Sequence, residues 1–188
     1  MLQLLVAAAL VQDYFPLDEG YSWVYESTAG DKKMEVVKTV TGKEKVGDIE
    51  CFVVEDKSWG GDFRKLYLQK HKDGIQVLRM RREVTKPFAW LKLPFEKGVR
   101  WTHDLASPKS RDRASLDFGV EDEENVVVPA GTYKARRVRM AVDSNEGKFE
   151  FTMWYAPDVG EVRRVTRIVL GEKVDETTLA LVKFGKAR

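Results

Sequence analysis

One phrase occurs twice in this chain, and it constrains the fold more than any other feature. Residues 15–25 and residues 93–103 share the pattern Pro-x-x-x-Gly-x-x-Trp in the same register, 78 residues apart. Identical spacing at three distinctive residues favours an internal duplication over an accidental likeness between two turn-then-strand passages. The chain is therefore predicted to contain two related halves, residues 13–90 and 91–188, packed as one domain.

The repeated phrase is suited to the entry of a β-strand. Proline restricts φ and has no N–H, which fits a position before a hydrogen-bonded ladder begins, and glycine tolerates the turn that follows. In an extended segment Trp23 and Tyr25 project from one face, as do Trp101 and His103. Large side chains are thus expected to fill two equivalent places in the core.

The composition indicates an ordinary globular domain. A chain of 188 residues with 43% hydrophobic residues can bury a sizeable core without disulfides or metals. Its 32 basic and 30 acidic residues give a net charge of +2, which is too small to predict a nucleic-acid partner. The single cysteine, Cys51, lies in an apolar run and is predicted to be a buried small hydrophobe.

The first twelve residues are typical of an export leader. Residues 1–12 are apolar apart from Gln3 and Gln12, too few to span a bilayer but suited to the hydrophobic region of a signal peptide. No basic residue precedes them, and the alternative is an N-terminal core strand or helical turn. We expect export to the periplasm or secretion, with residues 13–188 as a single β domain and no transmembrane span. A leader that does not function would leave the protein cytoplasmic.

The rest of the chain reads as a series of strands. Alternation is clean at residues 149–155, which is typical of an antiparallel sheet with one solvated face. Turn residues separate the runs. The predicted fold class is all-β, a mostly antiparallel curved sheet forming a half barrel or a sandwich. The main predicted strands are residues 34–41, 50–55, 63–69, 74–80, 114–120, 124–128, 133–142, 148–155, 161–170 and 173–184.

Three motifs carry a resemblance to a known group of proteins. They are residues 14–25, residues 128–138 beginning Val-Pro-Ala-Gly-Thr-Tyr, and residues 154–162 reading Trp-Tyr-Ala-Pro-Asp-Val-Gly-Glu-Val. The chain resembles a family of uncharacterised exported bacterial proteins, many with a signal peptide or lipoprotein leader, whose all-β shape is similar to lipoprotein-carrier half barrels. The resemblance implies the fold and an envelope location, and it implies no catalytic residues. The chain departs from lipoproteins in lacking a lipobox cysteine.

Signatures of enzymatic activity are weak. His71 and His103 have no metal-ligand spacing around them, and the chain has no Gly-x-Ser-x-Gly elbow. We therefore predict no catalytic residues, no cofactor and no metal site. An enzyme would require clustered carboxylates or an unusually partnered histidine in a cleft. Residues 121–124 are interpreted as a solvated acidic connection rather than a cation site, and arginines on predicted strands as a cross-strand charge lattice rather than an anion site.

The aromatic residues offer the clearest candidate site. Six of them are predicted to line a cavity between curved sheets that accepts an apolar or lipid-like ligand. The alternative is that they simply fill the core. Trp90 lies in the join between the halves, where exposure would indicate a partner or membrane contact. The six candidates are Trp23, Tyr25, Trp101, Phe151, Trp154 and Tyr155.

Together these features predict a non-catalytic extracytoplasmic binding protein. Its partner would be a hydrophobic or lipid-like small molecule or an envelope protein. The alternative is a structural or interaction module that binds a protein through a sheet face or edge. The sequence leaves the ligand's identity and the oligomeric state open.

Overall fold

The computed structural model of the protein describes residues 13–57, 64–80, 83–106, 113–144 and 147–186. Strands account for 81% of the structure, and no helix occurs among these residues, which confirms the predicted all-β class. The predicted leader, residues 1–12, lies outside the described residues. The strands of the described chain are β1 (Tyr21–Ala29), β2 (Lys32–Val46), β3 (Ile49–Lys57), β4 (Arg64–His71), β5 (Gly74–Met80), β6 (Glu83–Lys92), β7 (Arg100–Ala106), β8 (Arg113–Val128), β9 (Gly131–Ser144), β10 (Gly147–Ala156), β11 (Gly160–Leu170) and β12 (Lys173–Lys186).

All twelve strands of the described chain belong to one antiparallel sheet. Its order is β6-β5-β4-β3-β2-β1-β12-β11-β10-β9-β8-β7. Strands that follow each other in sequence therefore pair, apart from β6 and β7, and the first strand, β1, pairs with the last, β12. The sheet curves until it is nearly closed into a barrel. Of the two predicted alternatives, the curved barrel-like sheet is therefore the one observed. The edge strands β6 and β7 meet at a seam, and residues 93–99 connect them.

Alternation decides which side chains face the barrel interior. In β10, Met153 and Tyr155 are buried, whereas Glu150 is exposed. A bulge between Trp154 and Tyr155 breaks the register with β11, and β1 has a similar bulge opposite β12. Because a bulge bends its strand and increases the local twist, these positions help the sheet to curve back on itself.

The prediction of a solvated connection at residues 121–124 is wrong. Strand β8 continues through this acidic run, although its register with β9 shifts at the start of the run. Arg137 Nε lies 2.6 Å from a Glu121 carboxylate oxygen, and Lys134 Nζ lies 2.7 Å from one of Glu123. These basic residues of β9 offset the negative charge of residues 121–124, so the acidic run can remain part of a strand.

Charged side chains pair across neighbouring strands elsewhere as well. Arg167 of β11 lies 3.5 Å from Glu150 of β10, and Lys43 of β2 lies 2.7 Å from Glu50 of β3. The expected cross-strand pairing of strand arginines is confirmed for Arg167, and Lys43, which the prediction did not include, forms a pair of the same kind. Exposed pairs of this kind contribute only about 0–1 kcal/mol each, so they set register and solubility more than stability.

The seam between β6 and β7 is bridged by side chains. The Trp101 indole donates a hydrogen bond to the Ala89 carbonyl at 2.9 Å, and the rings of Phe88 and His103 stack with centroids 5.0 Å apart. Strand β6 also contains Pro87, which has no N–H to offer an incoming strand. These features are those of a protected sheet edge.

The two copies of the repeated phrase adopt matching local structures. The amide of Gly20 donates to the Val40 carbonyl at 2.9 Å, and the amide of Gly98 donates to the Val120 carbonyl at 2.9 Å. Both glycines have a positive φ, at 86° and 89°, where a side chain would be strained. Trp23 lies near the start of β1, and its equivalent, Trp101, lies near the start of β7. Duplication of the two halves stays a prediction.

The core fills the barrel interior. It gathers buried side chains from both predicted halves, among them Trp23, Phe88, Phe118 and Leu181. One end is covered by residues 13–20, which we call the N-terminal segment and in which Leu17 is fully buried. Within the described part of the chain, no helix has the length and apolar character needed to cross a membrane.

Candidate functional site

A pocket of about 270 Å³ opens beside the N-terminal segment, and we call it the rim pocket. Most of its wall is apolar, and its charged or titratable polar side chains, Asp13, Lys70 and His71, are partly exposed, which places them at its entrance. Three parts of the fold build it: the N-terminal segment, the hairpin of β4 and β5, and the end of β6 with the connection to β7. The lining residues are Asp13, Tyr14, Phe15, Lys70, His71, Gly74, Ile75, Leu91, Leu93 and Phe95.

A close approach of two strands shapes one side of the rim pocket. Gly74, the first residue of β5, has a φ of +129°, and a Cβ added there would lie 1.9 Å from the Leu91 carbonyl oxygen. Only glycine fits this position without displacing β6. The Leu93 amide then donates to the Asp73 carbonyl at 2.8 Å, which holds the following connection against the β4–β5 turn.

Polar groups at the entrance fasten the N-terminal segment to the barrel. Asp13 pairs with Lys70 at 2.7 Å, and its other carboxylate oxygen accepts a hydrogen bond from the Phe15 amide at 2.9 Å. On the far side, the Asp158 amide donates to the Asp13 carbonyl at 2.7 Å. Asp13 therefore links β4 to the β10–β11 turn across the end of the barrel.

Tyr155 lies in the core and packs against two aromatic residues that line the rim pocket. Its ring centroid lies 6.3 Å from that of Phe15 and 6.1 Å from that of Phe95, and the residue is fully buried. Its hydroxyl accepts a hydrogen bond from the Trp90 indole at 3.0 Å. Burial, with the nearby charge of Glu161, raises the pKa of Tyr155 well above its ordinary value, so the hydroxyl stays protonated.

Four charged residues form a group that we call the interior charge cluster: Lys38, Asp56, Glu161 and Arg164. The charges of Glu161 and Arg164 act on Tyr155. Arg164 donates to both Glu161 carboxylate oxygens, from Nε at 2.5 Å and from Nη2 at 2.8 Å. Lys38 Nζ donates to the same carboxylate at 3.1 Å. Bidentate pairing of this kind is among the strongest hydrogen-bonded arrangements in proteins.

Opposing effects set the protonation of these groups. Burial alone would raise the pKa of Glu161, but Arg164 and Lys38 outweigh it and hold the pKa below its ordinary value. Burial lowers the pKa of Lys38, and the Glu161 carboxylate only partly offsets that effect. The Tyr25 hydroxyl donates to the Glu161 backbone carbonyl at 2.9 Å, and burial raises its pKa well above normal.

Asp56 completes the interior charge cluster from β3. It is the register partner of Lys38 in β2, so both side chains project from the same face of the sheet, and its charge acts on Lys38 and on Tyr25. Its Oδ1 atom is buried and accepts no hydrogen bond from any described residue, Lys38 included. A buried carboxylate oxygen left in this way is costly.

The six predicted cavity residues do not line the rim pocket. Trp23, Tyr25, Trp101 and Tyr155 are buried in the core, and Phe151 and Trp154 are partly buried against it. Each described tryptophan indole has a specific partner: Trp23 donates to the Val159 carbonyl at 2.6 Å and Trp154 to the Glu124 carboxylate at 2.7 Å. A ligand cavity between these aromatic residues stays a prediction. Trp90 lies within β6 and is partly buried rather than exposed.

The single cysteine, Cys51, and the first of the two histidines, His71, lie in the described structure. Cys51 is buried beside Val53, Tyr67 and Leu78, which confirms its prediction as a small hydrophobe, and burial raises the pKa of its thiol. His71 lines the rim pocket, with Nδ1 3.3 Å from an Asp73 carboxylate oxygen. In the described residues, no group of three or more histidine, cysteine or acidic side chains is placed to hold a metal ion.

Sequence reasoning missed the rim pocket and the interior charge cluster. For the pocket a signal existed, because Phe15 and Phe95 occupy apolar positions of the two repeated phrases, beside the prolines. For the cluster the signal was faint. Lys38 follows two valines in β2, and Glu161 is the second residue of β11, and the two are 123 positions apart in the chain.

Comparison with known proteins bears on the fold. No protein-family model matches the chain, and no curated protein matches it at a significant level. A candidate lipoprotein from Parabacteroides distasonis is 17% identical with a TM-score of 0.55, over 93% of this chain and 99% of its own. A candidate exported protein with a YmcC-like fold from Bacteroides fragilis is 14% identical with a TM-score of 0.54, over 93% of this chain and 100% of its own. At these identities the likeness is one of fold.

Proposed function

We propose that this protein is a non-catalytic extracytoplasmic binding protein that holds a small apolar or lipid-like ligand in the rim pocket. The observation that carries the proposal is the pocket itself, with an apolar wall of Tyr14, Ile75, Leu91 and Phe95 and a polar entrance. Ligand sites in proteins commonly combine a mainly apolar lining with a few polar groups that orient the ligand.

The size of the rim pocket limits its ligand. At about 270 Å³ it lies just below the range of roughly 300–1,000 Å³ that is usual for drug-sized molecules. A small apolar molecule, or one apolar arm of a larger amphipathic one, fits this volume. Lys70 and His71 stand at the entrance, where they would meet the polar end of such a ligand.

The proposal assigns no catalytic role to the pocket. Its one carboxylate, Asp13, is paired with Lys70, and His71 lies beside Asp73, so the titratable groups at the entrance already have partners. These pairs fasten the N-terminal segment and the β4–β5 turn. Such positions suit a binding site with fixed walls.

An extracytoplasmic location is supported by two independent features. The first is the apolar character of residues 1–12, which suits an export leader. The second is the fold, which is similar to that of proteins described as a lipoprotein and as an exported protein. Fractionation of the source cells would test the location, and recovery of the native protein only in the cytoplasm would contradict it.

The ligand is tested with an uncharged naphthyl dye, N-phenyl-1-naphthylamine, whose fluorescence increases in apolar surroundings. The wild-type protein should bind it saturably. Leu93→Trp, which fills the pocket from its edge, should weaken binding at least about tenfold, equivalent to about 1.4 kcal/mol. Leu170→Trp is the matched control, because Leu93 and Leu170 are similarly exposed, at 41% and 44%, and only Leu93 lines the pocket.

Two outcomes would contradict the proposed site. One is an absence of saturable dye binding to the wild-type protein. The other is equal weakening by both tryptophan variants, which would indicate adsorption to the general surface. Native mass spectrometry of protein isolated from its source would then identify any apolar molecule that remains bound.

A further inference from the structure

The ion pair of Asp13 and Lys70 spans the entrance of the rim pocket. Asp13 belongs to the N-terminal segment and Lys70 to β4, so the pair joins two different walls of the pocket. Their charged atoms lie 2.7 Å apart, and the Asp13 and Lys70 side chains are 38% and 42% exposed. Because water and salt weaken an ion pair between exposed side chains, this contact breaks more readily than a buried one.

The two walls that the pair joins are held in different ways. Lys70 is the register partner of Ile75, and Ile75 is the register partner of Leu91, so this wall is part of the hydrogen-bonded ladder of β4, β5 and β6. Residues 13–15, in contrast, belong to no strand. Moving the first wall would break several ladder bonds together. The N-terminal segment is therefore the wall that can move at lower cost.

Burial changes within the N-terminal segment at Pro16. Residues 13–15 are half-buried, whereas Pro16 is buried and Leu17 is fully buried. Further along, the Gly20 amide donates to the Val40 carbonyl at 2.9 Å. The segment is thus anchored in the core from Pro16 onward. Its half-buried start is tied to the barrel by Asp13, through Lys70 and the Asp158 amide.

We propose that residues 13–15 form a gate over the rim pocket, with the Asp13–Lys70 ion pair as its latch and Pro16 and Leu17 as its anchored end. While the ion pair is formed, the walls are fixed around a bound ligand. When the pair breaks, residues 13–15 move away from β4 and the ligand enters or leaves. This regulation concerns the proposed ligand site and rests on the proposed function.

Amide hydrogen exchange of the full ¹⁵N-labelled chain tests the movement without a ligand. The reporter is the Asp158 amide, which donates to the Asp13 carbonyl and exchanges with solvent when residues 13–15 move away. Asp13→Asn keeps a side-chain oxygen for the Phe15 amide but removes the charge that pairs with Lys70. In this variant the Asp158 amide should exchange about threefold faster. The Gly20 amide, beyond the anchored end, should keep its wild-type rate.

Ligand access is measured by stopped-flow fluorescence with N-phenyl-1-naphthylamine. Because a gate limits entry and exit alike, association and dissociation should both become about threefold faster in Asp13→Asn, with little change in affinity. A residue that only contacted the ligand would change mainly dissociation. High salt should speed both rates in the wild type but not in the variant, since it screens the ion pair. Lys70→Gln removes the same pair, so the double variant should be no faster than either single one.

Glu50→Gln is the matched control, because it removes an exposed ion pair of the same length, with Lys43 at 2.7 Å, outside the pocket lining. It should leave exchange and dye kinetics unchanged. The gate is overturned if Asp13→Asn leaves the exchange of Asp158 or the two dye rates at wild-type values, or if the Gly20 amide accelerates equally. Those results would still allow a ligand in the rim pocket. An absence of saturable dye binding would instead overturn the proposed function and the gate together.

Discussion

The indole nitrogen of Trp90 donates a hydrogen bond to the hydroxyl of Tyr155 at 3.0 Å. Trp90 belongs to the edge strand β6 and Tyr155 to β10, so the bond crosses the barrel interior between strands that are not neighbours in the sheet. The Tyr155 ring packs against Phe15, which lines the rim pocket. Burial and then the charge of Glu161 raise the pKa of Tyr155. This pair therefore joins the edge of the sheet to residues of the rim pocket and of the interior charge cluster.

Trp90→Phe should destabilise the protein by about 1–3 kcal/mol, because the buried Tyr155 hydroxyl loses its donor. Trp154→Phe is the control, since the Trp154 indole bonds to the exposed Glu124 side chain and its loss should cost no more than about 0.5 kcal/mol. Urea unfolding followed by circular dichroism measures both. Equal costs for the two variants would argue against a special role for the cross-barrel bond.

Glu161→Gln should reduce the free energy of unfolding by about 3–5 kcal/mol, because it leaves the Arg164 and Lys38 charges buried without their carboxylate. The control is Glu150→Gln, whose partner Arg167 lies 3.5 Å away on the exposed surface. That change should cost at most about 1 kcal/mol. A Glu161→Gln protein as stable as the control would show that the cluster contributes little.

The stability due to Glu161 should disappear in acid. Its pKa is lower in the folded protein than the ordinary value of 4.5, so the unfolded chain binds the proton more readily. The contribution is therefore fully present above about pH 4.5 and is lost as the pH falls through the lower folded pKa. Unfolding measured from neutral pH downward should show the wild type losing its advantage over Glu161→Gln. Parallel pH profiles would contradict this assignment.

Gly74→Ala should destabilise the protein by at least about 3 kcal/mol, since the new Cβ would lie 1.9 Å from the Leu91 carbonyl oxygen. Gly47→Ala is the comparison, because Gly47 has a φ of +60° and nothing within 4 Å of an added Cβ. Its cost should be only the strain of a left-handed residue, about 1–2 kcal/mol. Thermal unfolding measures both, and dye binding would show whether Gly74→Ala also deforms the rim pocket.

Local patterns were enough to predict most strands. Alternation placed Met153 and Tyr155 on one face of β10, and both are buried. Pro129 and Gly131 marked the turn between β8 and β9 because each has a restricted or unusual φ. The acidic run 121–124 misled the same reasoning, because its charge is offset by β9 residues that no local window includes.

The rim pocket depends on the tertiary structure, which local sequence patterns do not reveal. Phe15 and Phe95 reach the rim pocket from the two repeated phrases, while Ile75 comes from β5. Whether these three residues come together depends on how far the sheet curves and on where the N-terminal segment crosses it. Periodicity within a strand has no bearing on either quantity.

The sequence by itself determined that the chain is all-β and that the same Pro-x-x-x-Gly-x-x-Trp phrase leads into both β1 and β7. It also determined that Trp23 and Trp101 are buried. Only the tertiary structure decided that Lys38, Asp56 and Glu161 share the interior. A strand's pattern fixes which residues alternate, but register and bulges fix which face is inward, and a slip of one residue reverses it. Pairing of β1 with β12 brings Glu161 to Lys38 across 123 positions of sequence, and no local preference encodes that contact.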